Sequence, residues 1–302
     1  MIISKGLMFM HFTGTVWRPP YEAWSALLQV TAGCTHNKCK FCTLYSDVPQ
    51  FKMSPISEIE EDLRELYAFA PDTTRLFLTG ANPFVLSTER LKEIARLAKQ
   101  YLQRMTSIGC FARVTDITPK SIDELKELRA VGYNRITIGV ETGDDPALDF
   151  MSKGYHAADI TAQCRKLDYA NIEYNFFYLT GISGFGKGIE GAEKTAEIFN
   201  CLSPKIVGAS MLTVYKNSAL YNEICLGNWK EETEREKLSE MRTLIEKLEI
   251  RTHFAALGAS NMFMLHGGLP SDKEKLIAEI DGILENYSEE EMRAYRVNLK
   301  HL

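Results

Sequence analysis

The sequence predicts an α/β fold built on a parallel sheet, and three observations carry that prediction. Short apolar runs of strand character alternate with longer segments whose apolar residues recur at helical spacing. The alternation gives six strands before Tyr215, each but the last followed by a helix. Glycine and proline fall at segment ends, where helices stop and chains turn. Alternating βα units favour parallel strands joined by right-handed crossovers. Six such units suit an open doubly wound sheet or a partial barrel, and periodicity alone leaves both open. In either case ligands gather at the carboxyl ends of the strands.

The first strand is read over Ala26–Thr31 (ALLQVT). A helix follows over Ile56–Phe69, with Ile56, Ile59, Leu63 and Leu66 on one face and Ser57 and Glu60 matching a capping box. Arg75–Thr79 is a strand ending in Gly80, and Thr88–Leu102 is a helix. Met105–Val114 reads as a strand and Pro119–Val131 as a helix, with proline near its start and Gly132 as its stop. Arg135–Val140 is a strand, Ala157–Ala170 a helix, Ile172–Leu179 a strand, Glu190–Leu202 a helix and Ile206–Val214 the sixth strand. Beyond Tyr215, Glu231–Leu248 is a charged amphipathic helix, and Arg251–Leu257 has strand character. Ser271–Asn286 and Ser288–Tyr295 are helical. No solenoid repeat and no low-complexity linker interrupts the chain.

At 302 residues, 45% of them hydrophobic, the chain has the material for a large core. Its net charge of −5, with no lysine- or arginine-rich run, argues mildly against a protein that grips nucleic acid by its phosphates. Met1–Phe12 lacks the apolar core and small-residue cleavage site of a signal peptide. The uncharged stretch Phe254–Ser271 contains Gly, Ser, Asn, His and Pro, so no membrane span is expected there. A cytoplasmic protein without a membrane partner is the expectation.

Of seven cysteines, Cys34, Cys39 and Cys42 fall within nine residues, in the run Gly-Cys-Thr-His-Asn-Lys-Cys-Lys-Phe-Cys. An odd count with one tight cluster suits a metal site in a reducing compartment better than a disulfide frame. Cys110, Cys164, Cys201 and Cys225 are scattered, and buried packing is the expectation for them. The spacing C-x4-C-x2-C serves an iron–sulfur cluster or zinc. Three cysteines leave one iron of a cubane open for chemistry. A structural zinc would close its fourth position with His36.

The stretch VTAGCTHNKCKFC resembles the signature of the radical S-adenosylmethionine (SAM) superfamily, whose three cysteines follow the first barrel strand. Phe41 holds the aromatic position before the last cysteine and counts among the expected cofactor contacts. One extra residue separates the first two cysteines from the usual C-x3-C-x2-C. Leu78-Thr79-Gly80-Ala81-Asn82-Pro83 resembles the Gly-Gly-Glu-type turn whose backbone holds the SAM amino group. Ala81 and Asn82 stand where glycine and glutamate are common. RITIGVETG, residues 135–143, resembles the fourth-strand motif whose carboxylate, here Glu141, faces the SAM ribose. Met151-Ser152-Lys153-Gly154 resembles a run whose basic residue, here Lys153, pairs with the SAM carboxylate. Gly181–Gly186 resembles the Gly-x-Ile-x-Gly element beside the adenine, which points to Ile182. It is neither a phosphate loop, because Gly188 follows Lys187, nor a dinucleotide fingerprint.

The resemblance covers residues 25–215 and implies a partial (β/α)6 TIM-type barrel with a mainly helical C-terminal extension, 216–302, that closes it; residues 1–24 form an N-terminal segment. The core resembles the elongator catalytic subunit, biotin synthase and anaerobic coproporphyrinogen oxidase. It implies a [4Fe–4S] cluster on Cys34, Cys39 and Cys42 that cleaves SAM to a 5′-deoxyadenosyl radical, which takes hydrogen from a small-molecule or peptide substrate. An electron donor such as flavodoxin or ferredoxin would serve it. An RNA substrate is the alternative, made weaker by the charge, and a non-catalytic zinc module is weaker still. No second Cys-x-x-Cys announces an auxiliary cluster. Arg18, Tyr178, Tyr215, Asn261 and His266 are further candidates for a substrate pocket.

Overall fold

The computed structural model describes residues 10–48 and 50–298; most of the Met1–Phe12 segment lies outside them. Eight strands form one sheet in spatial order β1 to β8: Ala26–Gln29, Arg75–Thr79, Ser107–Ala112, Ile136–Glu141, Tyr174–Thr180, Ile206–Met211, Thr252–Ala256 and Leu265–Leu269. Neighbours from β1 to β7 pair in parallel, and β8 turns back antiparallel on β7. The order ends at β1 on one side and β8 on the other, so the sheet is an open, partial barrel.

Strand alternation decides what faces the axis. Leu76 and Leu78, Ile136, Ile138 and Val140, and Tyr174, Phe176 and Tyr178 join the main apolar cluster beneath the helices. The intervening residues, among them Phe77, Gly139, Glu141, Asn175, Phe177 and Gly208, therefore face inward. The outer layer holds α1 (Ile56–Phe69), α2 (Thr88–Tyr101), the single turn α3 (Val114–Ile117), α4 (Ile122–Ala130), the short α5 (Asp145–Phe150), α6 (Ala157–Tyr169) and α7 (Gly188–Phe199). Each amphipathic face covers the outward side of the sheet, burying Ile59, Leu63, Leu91, Ile94, Leu125 and Ile160.

Several local expectations are corrected. No capping box forms at Ser57: Pro55 occupies the N-cap, the helix starts at Ile56, and Ser57 falls inside the first turn. Glu60 instead accepts from the Tyr101 hydroxyl at 2.7 Å. A capping box forms at α4, where Ser121 Oγ accepts from the Glu124 amide and Glu124 accepts from the Ser121 amide. That helix starts three residues after Pro119 rather than at it. The first strand breaks after Gln29, and Thr31–Ala32 pairs antiparallel with Lys52–Met53. The third ends at Ala112 and the sixth at Met211, where the chain leaves the sheet.

The extension contributes helices α8 (Ala219–Cys225), α9 (Glu234–Lys247), α10 (Lys273–Asn286) and α11 (Glu289–Val297), but also β7 and β8. The β8 strand reads as loop in sequence because it contains Gly267 and Gly268 and precedes Pro270. An edge strand tolerates such residues. Among the described residues no helix is long and apolar enough to cross a membrane.

Candidate functional site

The cysteine loop leaves the sheet at the carboxyl end of β1 and is held to the rest of that face by short contacts. The Cys42 amide donates to the Cys39 carbonyl at 3.1 Å, making a turn between two of the thiols. The Lys40 amide donates to the Met151 carbonyl, and the Leu220 amide to the Lys40 carbonyl at 2.7 Å. Lys40 Nζ also reaches Glu223 at 2.7 Å and sits 4.2 Å from the centre of the Phe150 ring. His36 Nε2 donates to the Ser152 carbonyl at 2.6 Å, and Gly154 allows the approach, since a Cβ there would stand 3.1 Å from the imidazole.

On its other side the loop is tethered by Asn82. The Asn82 carboxamide donates to Thr35 Oγ1 at 2.7 Å and to both oxygens of Asp116 at 3.1 Å, and accepts from the Thr35 amide. Asp116 also accepts from the Arg113 amide at 2.7 Å. Burial pushes the Asp116 carboxyl up to about 6 against these hydrogen bonds. Gly80 is required at the turn before it: its φ is +126°, and a side chain would collide with the Thr31 hydroxyl and carbonyl. The hydroxyls of Thr31 and Thr79 beside that turn are buried and have no partner among the described residues.

Glu141 ends β4 with φ at +67°, after a register shift between Gly139 and Glu141. A left-handed backbone at a non-glycine residue costs about 1–3 kcal/mol and clusters at functional sites. Its carboxylate folds back over Gly139 and meets Lys153 Nζ at 3.2 Å. Lys153 is buried, and it also donates to the Gly139 carbonyl. Burial works against the Lys153 charge, but Glu141, Tyr155 and Cys39 outweigh it and hold the ammonium firmly charged. Its Nζ lies 5.6 Å from the Phe41 ring centre and 5.5 Å from that of Tyr155. Arg113 at the end of β3 closes the group by donating to the Lys153 carbonyl at 2.5 Å.

The thiols feel these charges. Burial raises Cys39, and Lys153 and Arg113 pull it back. Burial pushes Cys42 up to about 11, with Cys39 and Cys34 adding to the rise and Lys153 opposing it. Cys42 is exposed as a residue while its sulfur faces crowded surroundings. Burial lowers the His36 imidazole below its usual range, and Arg113, Lys153 and Lys38 press the same way against the hydrogen bond to Ser152. Among the described residues no three His, Cys, Asp or Glu side chains already converge as a metal shell.

Strand ends β1, β2, β4 and β5 thus bring most of the expected residues together. Ile182 and Phe41 share one apolar cluster with Met151, Leu179, Leu212 and Leu220. Thr79 is fully buried at the β2 end, and Ala81 follows Gly80 in the same turn. The pocket candidates fare differently. Tyr178 points outward and donates to Glu240 on α9; Arg18 is exposed and donates to the Ser25 carbonyl; His266 is exposed in β8, its ring 5.9 Å from that of His253. Asn261 is buried and donates to the Ala209 carbonyl. Tyr215 is half-buried after β6. Of the scattered cysteines, Cys110 and Cys164 are buried as expected, but Cys201 and Cys225 are exposed at helix ends. Sequence reasoning missed Arg113, Asp116 and Tyr155. The signal available was the polar run Arg113-Val-Thr-Asp116 directly after an apolar strand.

A parallel partial barrel with its polar residues gathered at the carboxyl strand ends is the architecture of a (β/α)-barrel enzyme. A family model described as the radical SAM superfamily matches residues 28–195, and the chain belongs to that superfamily. Enzymes of this family bind a [4Fe–4S] cluster and SAM. The heme chaperone HemW of Bacillus subtilis (strain 168) is 26% identical over 111 residues, 36% of this chain and 29% of HemW. The radical SAM methyltransferase TsrM from Kitasatospora setae, solved with cobalamin and a [4Fe–4S] cluster bound, superposes with a TM-score of 0.55 at 18% identity. That match covers 67% of this chain and 39% of TsrM. Methylornithine synthase (PylB) superposes with a TM-score of 0.53 at 15% identity, over 90% of this chain and 85% of PylB. These structural likenesses are likenesses of fold. The chain spans less than a third of HemW's length and less than half of TsrM's.

Proposed function

We propose that Cys34, Cys39 and Cys42 hold the cluster and that Thr79, Gly80, Ala81, Phe41, Glu141, Lys153 and Ile182 form the SAM subsite, serving hydrogen abstraction from a small-molecule or peptide substrate. The observation that carries this reading is the pair of buried Lys153 and half-buried Glu141, 3.2 Å apart, set against Cys39 and under Phe41. The donor set fits a cubane with one open iron: three thiols on one loop, none in a disulfide, with the Lys153 charge opposing the rise that burial gives Cys39 and Cys42. When bound, the cluster and SAM supply the one-electron cleavage of the sulfonium bond that yields a hydrogen-abstracting 5′-deoxyadenosyl radical.

The chain's own residues do the rest. Lys153 offers its charge to the SAM carboxylate, and Glu141 accepts from the ribose hydroxyls while keeping Lys153 in register. The backbone of the Gly80 turn, which only glycine can make against Thr31, is the part that would meet the amino group. Ile182 and Phe41 bring apolar surface to the adenine side and exclude water from it. Phe111 and Phe177 are half-buried on inward positions of β3 and β5 and give the barrel an apolar floor. That floor suits an organic substrate. A flavodoxin- or ferredoxin-type protein is the proposed electron donor. The test is SAM turnover by anaerobically reconstituted, reduced protein. Slow 5′-deoxyadenosine formation that small molecules or peptides accelerate supports the reading. Acceleration by tRNA alone favours an RNA substrate instead.

A further inference from the structure

The opposite end of the barrel, where the strands begin, contains a cavity of about 200 Å3. The N-terminal segment roofs it: the Tyr21 hydroxyl stands 3.3 Å from Thr137 Oγ1, and the Tyr21 ring approaches Gly208. Asn175 lines this cavity from the second residue of β5. Its neighbours Tyr174 and Phe176 point outward into the helical layer, so its carboxamide points to the axis. Asn175 is 1% exposed, and among the described residues neither its Nδ2 nor its Oδ1 has a partner. A buried carboxamide with both ends unmatched costs about 1–3 kcal/mol per group and is rare in folded proteins.

The charges around it are already matched to each other. Arg75 Nε donates to Glu22 Oε2 at 2.8 Å, and a second Arg75 nitrogen reaches the other Glu22 oxygen. Ser25 Oγ donates to the same carboxylate. Arg135 at the rim is paired with Glu173 at 3.3 Å. An ionic ligand would have to break these pairs, whereas a neutral one presenting a donor beside an acceptor matches Asn175 directly. Trp24 lines the mouth and is 99% exposed, an indole face with nothing upon it. Aromatic faces of that kind stack on planar rings.

We propose that this cavity is a binding site for a small, neutral, planar heterocycle whose edge carries an N–H beside a lone-pair acceptor, as in a nucleobase or lactam. The edge pairs with the Asn175 carboxamide in the bidentate manner by which asparagine reads adenine, and the ring lies toward Trp24. The volume accommodates about six waters at liquid density, or one such ring in their place. Lying at the far end from the cysteine loop, the site is separate from the radical chemistry.

The test is a titration of the reconstituted protein with adenine, uracil and pyridine, followed by tryptophan fluorescence and by calorimetry. Saturable binding of adenine or uracil but not pyridine is expected, with the fluorescence response lost in Trp24→Phe and the calorimetric one kept. Which of the two binds separates a purine amino edge from a lactam edge. Asn175→Leu should weaken that binding about tenfold or more, as loss of a paired hydrogen-bond edge implies. Asn175→Asp, nearly isosteric and lacking the donor, gives the same answer if the leucine variant fails to fold. No saturable binding, equal binding of pyridine, affinity unchanged by both substitutions, or a soaked crystal showing only waters on Asn175 would overturn the proposal.

Discussion

Lys153 Nζ and Glu141 Oε1 lie 3.2 Å apart at the end of the fourth strand, with Cys39 within their field. The pair explains why Glu141 is held in a left-handed backbone: that conformation turns its carboxylate inward and back over Gly139. Glu141→Gln should leave iron content intact and weaken SAM binding about 10–150-fold, the equivalent of ~1.5–3 kcal/mol for a hydrogen bond to a charged group. Equilibrium binding of SAM to the reconstituted protein reads this. Unchanged affinity would return Glu141 to a purely structural role as the partner of Lys153.

Asn82 ties Thr35 to Asp116 and so fixes the part of the cysteine loop that carries the extra residue. Asn82→Ala should leave Asp116 buried with the Arg113 amide but without the Asn82 carboxamide, lowering stability by about 1–3 kcal/mol. Iron should also leave the loop faster when a chelator is added, and thermal melting with timed iron release separates the two effects. Iron release at the parental rate would show that the tether does not position the loop.

Stability should depend on pH through Glu232 and Glu240, buried beneath the fifth strand. Burial, and then the Glu240 carboxylate, pushes Glu232 up to about 9; burial pushes Glu240 up to about 7, although the Tyr178 hydroxyl and the Gly181 amide donate to it. Glu236 adds to the rise of Glu232, and Lys237 opposes it. Among the described residues neither Glu232 oxygen has a donor, which one shared proton would supply. Raised carboxyls bind protons in the folded state that the unfolded chain has released. Their contribution is complete below about 4.5 and is lost as pH rises through the folded values. The melting temperature should therefore fall between neutral pH and pH 9, and Glu232→Gln should flatten that slope. An equal slope in the variant would remove the pair from the account.

Binding to tRNA should be weak and should collapse with salt. A chain of net charge −5 with no basic run releases few counterions, and counterion release supplies most non-specific affinity. Filter binding across a salt series measures it. Tight binding that persists at physiological salt would move the substrate proposal to RNA.

Much of this was legible in the sequence because parallel strands buried on both faces announce themselves as short apolar runs. The cysteine spacing, the strand-ending Glu141 and the Gly80 turn could likewise be read from local pattern. What escaped depends on distant partners. The β8 edge strand hides behind its glycines and is defined only by β7. Tyr178 reads as a pocket residue until strand alternation turns it toward Glu240. The mutual pairing of Glu141 with Lys153, twelve residues on, needs the backbone turns at Ser152 and Gly154, and the Thr35–Asn82–Asp116 tether joins three separate segments. Cys201 and Cys225 look like the buried cysteines until their helices are placed.

The most direct test of the central claim is iron content together with 5′-deoxyadenosine formation in anaerobically reconstituted protein, compared among single cysteine variants. The account predicts brown protein with about four irons per chain that cleaves SAM when reduced. Cluster and cleavage should both be abolished in Cys34→Ala, Cys39→Ala and Cys42→Ala and retained in Cys110→Ala, Cys164→Ala, Cys201→Ala and Cys225→Ala. Colourless protein binding a single zinc, or full iron and SAM cleavage in Cys34→Ala, would contradict it.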